Sequence, residues 1–474
     1  MTVAIALIRK DGLEFRRDRR ALVAAILVVL LAVAAVATAY VHVSGYERDR
    51  TAAETRDRQT WLSQGARNPH GAAHFSSWAM RPLTTLAIVE PGIAPYAGSG
   101  IWMEAHKQNP ARNRPQQDTA AAFDVGQFSL AWLLQSVVPL LLLVSGASAI
   151  AREREQGTLR LMLASGADER RIVGGKLLSL SLTILFPVFA LTAVALAAAA
   201  LVPEARMNAE ALRAILWLGA NGLGLTVVTL IALAISCRSR SVSQAVVMAA
   251  FVWLAGTIIV PRVAVGVAGA TIPSPTPSQF AATLAAEHAK VDGSHGGGDA
   301  AFEKVVLAKY GVGKIEELPV SFAGLLLDEG ERQGNIIFDR QFGALEASYE
   351  RQRALTRMIG ILSPVVSLQN ISMALAGTDM ASQLALQKQA EAHRRKVVGM
   401  LNDDMIANAG RKDFNYLADP RLWGTIPEFR FRAPPLASAV ASIWQDVIVL
   451  VGWTLFAAWL LWRATRRLGQ DILA

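Results

Sequence analysis

Few residues in this sequence of 474 are of a type and spacing that could do chemistry. A phosphate-binding loop needs Gly, four residues, then Gly-Lys-Ser/Thr, because its backbone amides must wrap a phosphate. The two Gly-Lys pairs, Gly175-Lys176 and Gly313-Lys314, run on into Leu177 and Ile315, and the leading glycine falls on Arg170 and Ala308. No Gly-x-Ser-x-Gly elbow leads into a triad, and no His-Glu-x-x-His is present. His70 and His74 are spaced i, i+4, which on a helix would set two imidazoles on one face, but Pro69 and Gly71 disfavour a helix there. Solvated surface histidines, and no metal site, are therefore expected. The single cysteine, Cys237, excludes an intrachain disulfide and a cysteine-held zinc or iron–sulfur site. The expectation is a chain that is not itself an enzyme and holds no cofactor of its own.

Other residues stand out by position. Asp446, beside Gln445 in a long apolar run, is a carboxylate that would cost roughly 2.5–3.5 kcal/mol at the centre of a membrane helix. It reads either as a pathway residue or as one at the outer interface. Asn221, beside Gly219, Gly222 and Gly224, suits close helix packing, and Arg213 and Arg262 lie where they can snorkel. Gly377-Thr378-Asp379 opens a helix with Thr378 or Asp379 as its cap, or contacts an extracytoplasmic partner or ligand.

The most informative stretch is Glu153-Arg154-Glu155-Gln156-Gly157-Thr158-Leu159, followed by Met162 and Leu163. Leu159, Met162 and Leu163 form a short apolar stripe at i, i+3, i+4. Ser165-Gly166 stops that helix and Asp168 caps the next. Such a helix can dock into a groove on a partner, or be an ordinary solvated loop that happens to be amphipathic.

These residues must be held by membrane spans. Only 18% of the residues are charged against 53% hydrophobic, where a soluble domain carries about 25% charged. Mean hydropathy is +0.33. Six apolar runs, 21–43, 128–150, 177–202, 211–236, 242–265 and 436–462, are each long enough to cross a hydrocarbon core of about 30 Å. Pro139 and Pro187 inside two of them are tolerable in membrane helices. The first run exceeds a signal-peptide core, so an uncleaved anchor is expected.

The basic residues set the orientation. The leader (1–20), the connection at 151–176, the turn after the fourth run and the tail (463–474) hold 17 basic and 8 acidic residues, a surplus of nine equal to the whole chain's +9. The charge is therefore a topology signal that places both termini in the cytoplasm, not a nucleic-acid patch. The leader, with Ile5, Ile8 and Phe15 on one face, reads as an interfacial helix on the inner leaflet, or as a disordered basic leader. Two insertions, 44–127 and 266–435, would lie outside.

The fold class expected is mainly α: a polytopic membrane protein with six transmembrane helices and a largely helical extracytoplasmic domain with minor β. In the first insertion, 47–64 reads as a helix, Thr85-Leu86-Ala87-Ile88-Val89 as a short strand, and 108–117 as a loop. In the second, helices are expected at 279–290, 321–362 and 379–409, with a flexible break at Gly293-Ser294-His295-Gly296-Gly297-Gly298 and a strand at Phe429-Arg430-Phe431-Arg432.

The segment from Glu153 to Leu159, with Arg171-Ile172-Val173 and Lys176 before the third run, resembles the coupling region of ABC-2 type transporter permeases. Leu86 to Gly92, Tyr96-Ala97-Gly98, Glu104-Ala105-His106, Ser363-Pro364, Ala376 to Asp379 and Glu391-Ala392-His393-Arg394 resemble the branch with two large extracytoplasmic insertions. That branch is similar to the permeases of nitrous-oxide-reductase maturation. The resemblance implies a bacterial inner-membrane subunit that couples ATP and Mg on a separate ABC ATPase dimer to substrate export or outer-side work. A second permease copy or paralogue, and an extracytoplasmic protein, would be further partners. Glu153, Arg154, Glu155, Gly157, Thr158, Leu159, Met162 and Leu163 would form the ATPase-coupling segment. The alternative is a non-transporting scaffold or mechanotransmitter.

Overall fold

The computed structural model describes residues 2–75, 77–112, 128–199 and 210–468. The expected loop at 108–117 lies outside them from 113 onward, as do the last residues of the run 177–202 and the tail beyond 468.

Among the described residues six helices are long and apolar enough to cross a membrane, and the protein is a mainly α polytopic membrane protein. A leader helix α1 (Thr2–Arg17) precedes α2 (Arg19–Leu62). The other spans are α4 (Leu130–Glu155), α6 (Glu169–Ala197), α7 (Glu210–Arg238), α8 (Val242–Thr271) and α13 (Leu436–Leu468). Between them lie α3 (Pro69–Ala73), α5 (Thr158–Ala164), α9 (Pro277–Tyr310), α10 (Phe322–Gly360), α11 (Pro364–Ala376) and α12 (Met380–Asn408). The described strands are one antiparallel pair, β1 (Ser77–Met80) and β2 (Gly100–Met103), with Trp78 opposite Trp102.

Span and head are continuous. The charged stretch 47–64 is the same helix as the first span, 44 residues long. Its far end is bolted to the head: Trp61 Nε1 donates to the Trp423 carbonyl (3.0 Å) and Arg58 to that of Ile426 (2.9 Å). The buried core joins spans to insertions too, because Leu86, Val89, Leu368, Ile371 and Leu375 pack with Leu133, Leu142, Trp217 and Leu450. The helix α11 is apolar, is wedged against α7 and α13, and is too short to span.

Three spans contain a proline, and each has a π turn directly before it: 133–137 before Pro139, 181–185 before Pro187, and 254–259 before Pro261. A proline lacks an N–H and its ring crowds the carbonyl four residues back; widening the preceding turn relieves that clash.

Several expectations are corrected. Thr85–Ile88 is a 3₁₀ turn, not a strand, because the Thr84 hydroxyl accepts from Ala87 N–H and the run is buried between spans without a pairing strand. Residues 429–432 are not a described strand either; the Gln389 amide both donates to and accepts from the Arg432 backbone at 2.8 Å, and so stands where a neighbouring strand would. The glycine-rich 293–298 is not a break, since α9 runs through it. A helix does form at His70: Asn68 Oδ1 accepts from the N–H groups of His70 and Gly71, and Pro69 sits at the first helical position, where its missing N–H is harmless. Arg213 does not snorkel. It is 1% exposed and donates to the carbonyls of Leu375 (3.2 Å) and Pro434 (2.8 Å).

Candidate functional site

The connection between α4 and α6 is an elbow built from two left-handed glycines. Gly157 (φ +74°) ends α4 and Gly166 (φ +84°) follows α5. Both conformations are open to glycine and strained for other residues. Asp168 Oδ1 then caps α6 through Arg170 N–H.

The elbow is locked by charge. Glu153, 3% exposed, accepts from Lys10 Nζ (2.5 Å) and Lys176 Nζ (2.8 Å) through Oε1, and from the Thr158 hydroxyl through Oε2. Lys176, also 3% exposed, reaches Asp11 at 2.7 Å. Two carboxylates and two ammonium groups thus balance one another where the leader, the end of α4, the start of α5 and α6 meet. Multiple charge-assisted hydrogen bonds offset the desolvation of such a cluster. The leader helix packs on α6, with Leu7 buried.

Arg154 and Glu155 hold the neighbouring turn. Arg154 donates to the carbonyls of Cys237 (2.8 Å) and Ser239, and Glu155 Oε1 accepts from Val242 N–H (3.0 Å). Leu159 is fully buried in the chain's own core, among Ile150, Ile172, Leu233 and Leu461, with Met162 and Leu163 on its rim. The apolar stripe thus faces the chain's own spans. The outward face carries Arg160, Leu161 (70% exposed), Ala164 and Ser165.

The remaining candidates lie apart from the elbow. Asp446, 2% exposed, pairs with Arg357 (2.7 Å) and accepts from Asn370 Nδ2 (2.9 Å), whereas Gln445 is exposed and turned from it. Asn221 is buried, accepts from Gln135 of α4 and donates to the Trp217 carbonyl. Gly377 (φ +68°) ends α11, Thr378 is buried, and Asp379 caps α12 by accepting from Ser382. The Thr378 carbonyl accepts from Ile93 N–H (3.0 Å), so this corner joins the two insertions.

Sequence reasoning missed three features. The Lys10–Glu153 pair spans 143 positions, which no local pattern reveals. Glu90 forms a buried chain: Trp217 Nε1 donates to Ser372 Oγ (2.7 Å), and Ser372 donates to Glu90. Burial pushes the Glu90 carboxyl up to about 7. His106, on the turn after β2, lies beside His70 and His74.

With this geometry in place, two family models match the chain. Residues 107–286 match the model described as ABC-2 family transporter protein, which covers the elbow and the spans on either side of it. Residues 280–432 match the model described as a domain of unknown function (DUF3526), which covers most of the second insertion. The transporter match supports a permease of the ABC-2 type, a multi-pass membrane component. No curated protein and no solved structure gave a match.

Proposed function

We propose that the chain is the membrane-spanning permease subunit of an ABC-2 type transporter in the bacterial inner membrane, with both termini cytoplasmic. A separate ABC ATPase dimer would bind ATP and Mg and grip the elbow, and a second permease copy or paralogue would complete the pore. The observation that carries this reading is a transporter-family match that includes an elbow locked to two spans and the leader by Glu153. In this reading Glu153, Arg154, Gly157, Thr158 and Leu159 give the elbow its rigidity, and Arg160, Leu161 and Ala164 meet the ATPase. A rigid elbow passes motion on to α4 and α6 instead of absorbing it.

The 44-residue helix shared by the first span and the head favours a second reading, in which the motion does mechanical work on an extracytoplasmic protein without substrate flux. The nitrous-oxide-reductase maturation branch, where a permease partners a maturation machine, is the form of this protein we favour.

Co-expression of the full chain with the ABC ATPases of its own genome, followed by purification through the permease, tests the assignment. One ATPase is expected to co-elute, and Leu161→Glu is expected to release it without moving the melting temperature of the permease. Leu159→Ala should instead lower stability by about 2–5 kcal/mol, as for a buried leucine. A wild-type chain that retains no ATPase, or Leu161→Glu retaining it with unchanged ATP turnover, overturns the proposal. ATP-coupled movement of the head without flux from liposomes would select the second reading.

A further inference from the structure

Three imidazoles converge on the head from two separate segments. His70 lies within α3, His74 caps its end, and His106 comes from the turn after β2. One ring nitrogen from each lies within 4.8 Å of the others. His70 Nε2 and His74 Nε2 are 3.4 Å apart. Two nitrogens bound to one tetrahedral metal at about 2.0–2.1 Å stand about 3.3 Å from each other, so this pair already has the separation of two edge-sharing ligands. Closing the third needs a side-chain adjustment of an ångström or so, a tilt of the His106 ring that keeps its rotamer and its bond to Glu331.

Two further observations set this apart from a chance gathering of surface histidines. His106 holds a left-handed backbone (φ +64°), uncommon for a residue other than glycine and a form of strain that gathers at functional positions. Its Nδ1 is bonded to the carboxylate of Glu331, 7% exposed. Glu331 is in turn fixed by Arg394 (3.2 Å), itself held by Glu391 (2.8 Å) and Asn335 (2.6 Å). A carboxylate on one ring nitrogen orients the imidazole and leaves the other nitrogen for a metal, which is the arrangement of outer groups behind metal-binding histidines. Three neutral imidazoles suit zinc or copper rather than calcium or magnesium.

We infer that His70, His74 and His106 form a binding site for a late first-row divalent cation, with Glu331 positioning His106 and a fourth coordination place open to solvent. An open place allows the ion to be exchanged with, or to bridge to, a ligand from outside. The site does not depend on the permease assignment.

The test uses the full chain, purified in detergent through an affinity tag without histidines, stripped with EDTA and titrated with Zn²⁺ by calorimetry. One saturable equivalent is expected, together with a rise in melting temperature. His74→Ala and His106→Asn should each weaken binding about tenfold or more, and Glu331→Gln about 10–100-fold. His74 is exposed, so His74→Ala should melt with the wild type in EDTA, and asparagine at 106 tolerates the left-handed backbone. His393→Ala, outside the cluster, should bind as wild type. Absence of saturable Zn²⁺ binding by the wild type overturns the inference. So does undiminished binding by His74→Ala and His106→Asn combined.

Discussion

Glu153 and Lys176, one at the end of the second span and one at the start of the third, meet at 2.8 Å with both side chains almost completely withdrawn from solvent. The contact closes the elbow from within, and Lys10 brings the leader into the same closure. An elbow closed in this way can move only together with the helices that carry it.

Removing Lys176 leaves the buried Glu153 carboxylate with Lys10 alone and takes the ammonium from Asp11, so part of the roughly 3–5 kcal/mol cost of breaking a buried pair is expected. Lys176→Met is therefore expected to lower the melting temperature of the purified chain strongly. Glu153→Gln with Lys176→Met should be less damaging than the two single changes added together, since the second change removes a pairing that the first has already broken. Additive losses in the double-mutant cycle would mean that the pair is not coupled.

Gly92 joins the two insertions at close quarters. It holds φ +51°, and a Cβ there would stand 2.5 Å from Thr378 Oγ1 and 2.6 Å from the Thr378 carbonyl oxygen. Gly92→Ala combines a left-handed penalty of roughly 1–2 kcal/mol with overpacking of roughly 1–3 kcal/mol. Adding Thr378→Ala, which removes Oγ1, should not rescue it, because the backbone carbonyl remains in the way. Denaturant or thermal unfolding of the two variants decides this, and full rescue would show that the threonine side chain alone causes the clash.

Glu90 should make stability depend on pH. Burial raises its carboxyl from 4.5 to about 7 in the folded chain. Between these values the folded state holds a proton that the unfolded state has released, so its contribution is complete below about pH 4.5 and falls as pH rises towards 7. The full span is roughly 3 kcal/mol at 1.36 kcal/mol per unit. Glu90→Gln cannot titrate, so the stability difference between it and wild type should shift in the variant's favour over that window and level off above it. A difference that stays flat from pH 4.5 to 7.5 would remove Glu90 as the cause.

Much of the fold was legible in the sequence because it is local. Hydrocarbon length and apolar content mark six runs wherever they end up in space, and the described residues include six helices of that kind. Caps are local too. Asp168 and Asp379 each accept from a backbone N–H two or three residues ahead, and the stop at Ser165-Gly166 needs only a left-handed glycine. The mistaken strand at 85–89 shows the limit of this. A short apolar run buried on all sides carries no period, and only the absence of a pairing strand makes it a 3₁₀ turn.

What the sequence by itself determined was the number of spans, the basic segments between them and the breaks that shape the elbow, since hydropathy and backbone preference depend on residues within a turn or two. The tertiary structure alone decided that Leu159 faces its own spans, that Lys10 and Lys176 share one carboxylate, and that His106 joins His70 and His74. Burial and charge pairing are properties of elements that share space, and partners 143 residues apart are brought together by packing that no local pattern encodes.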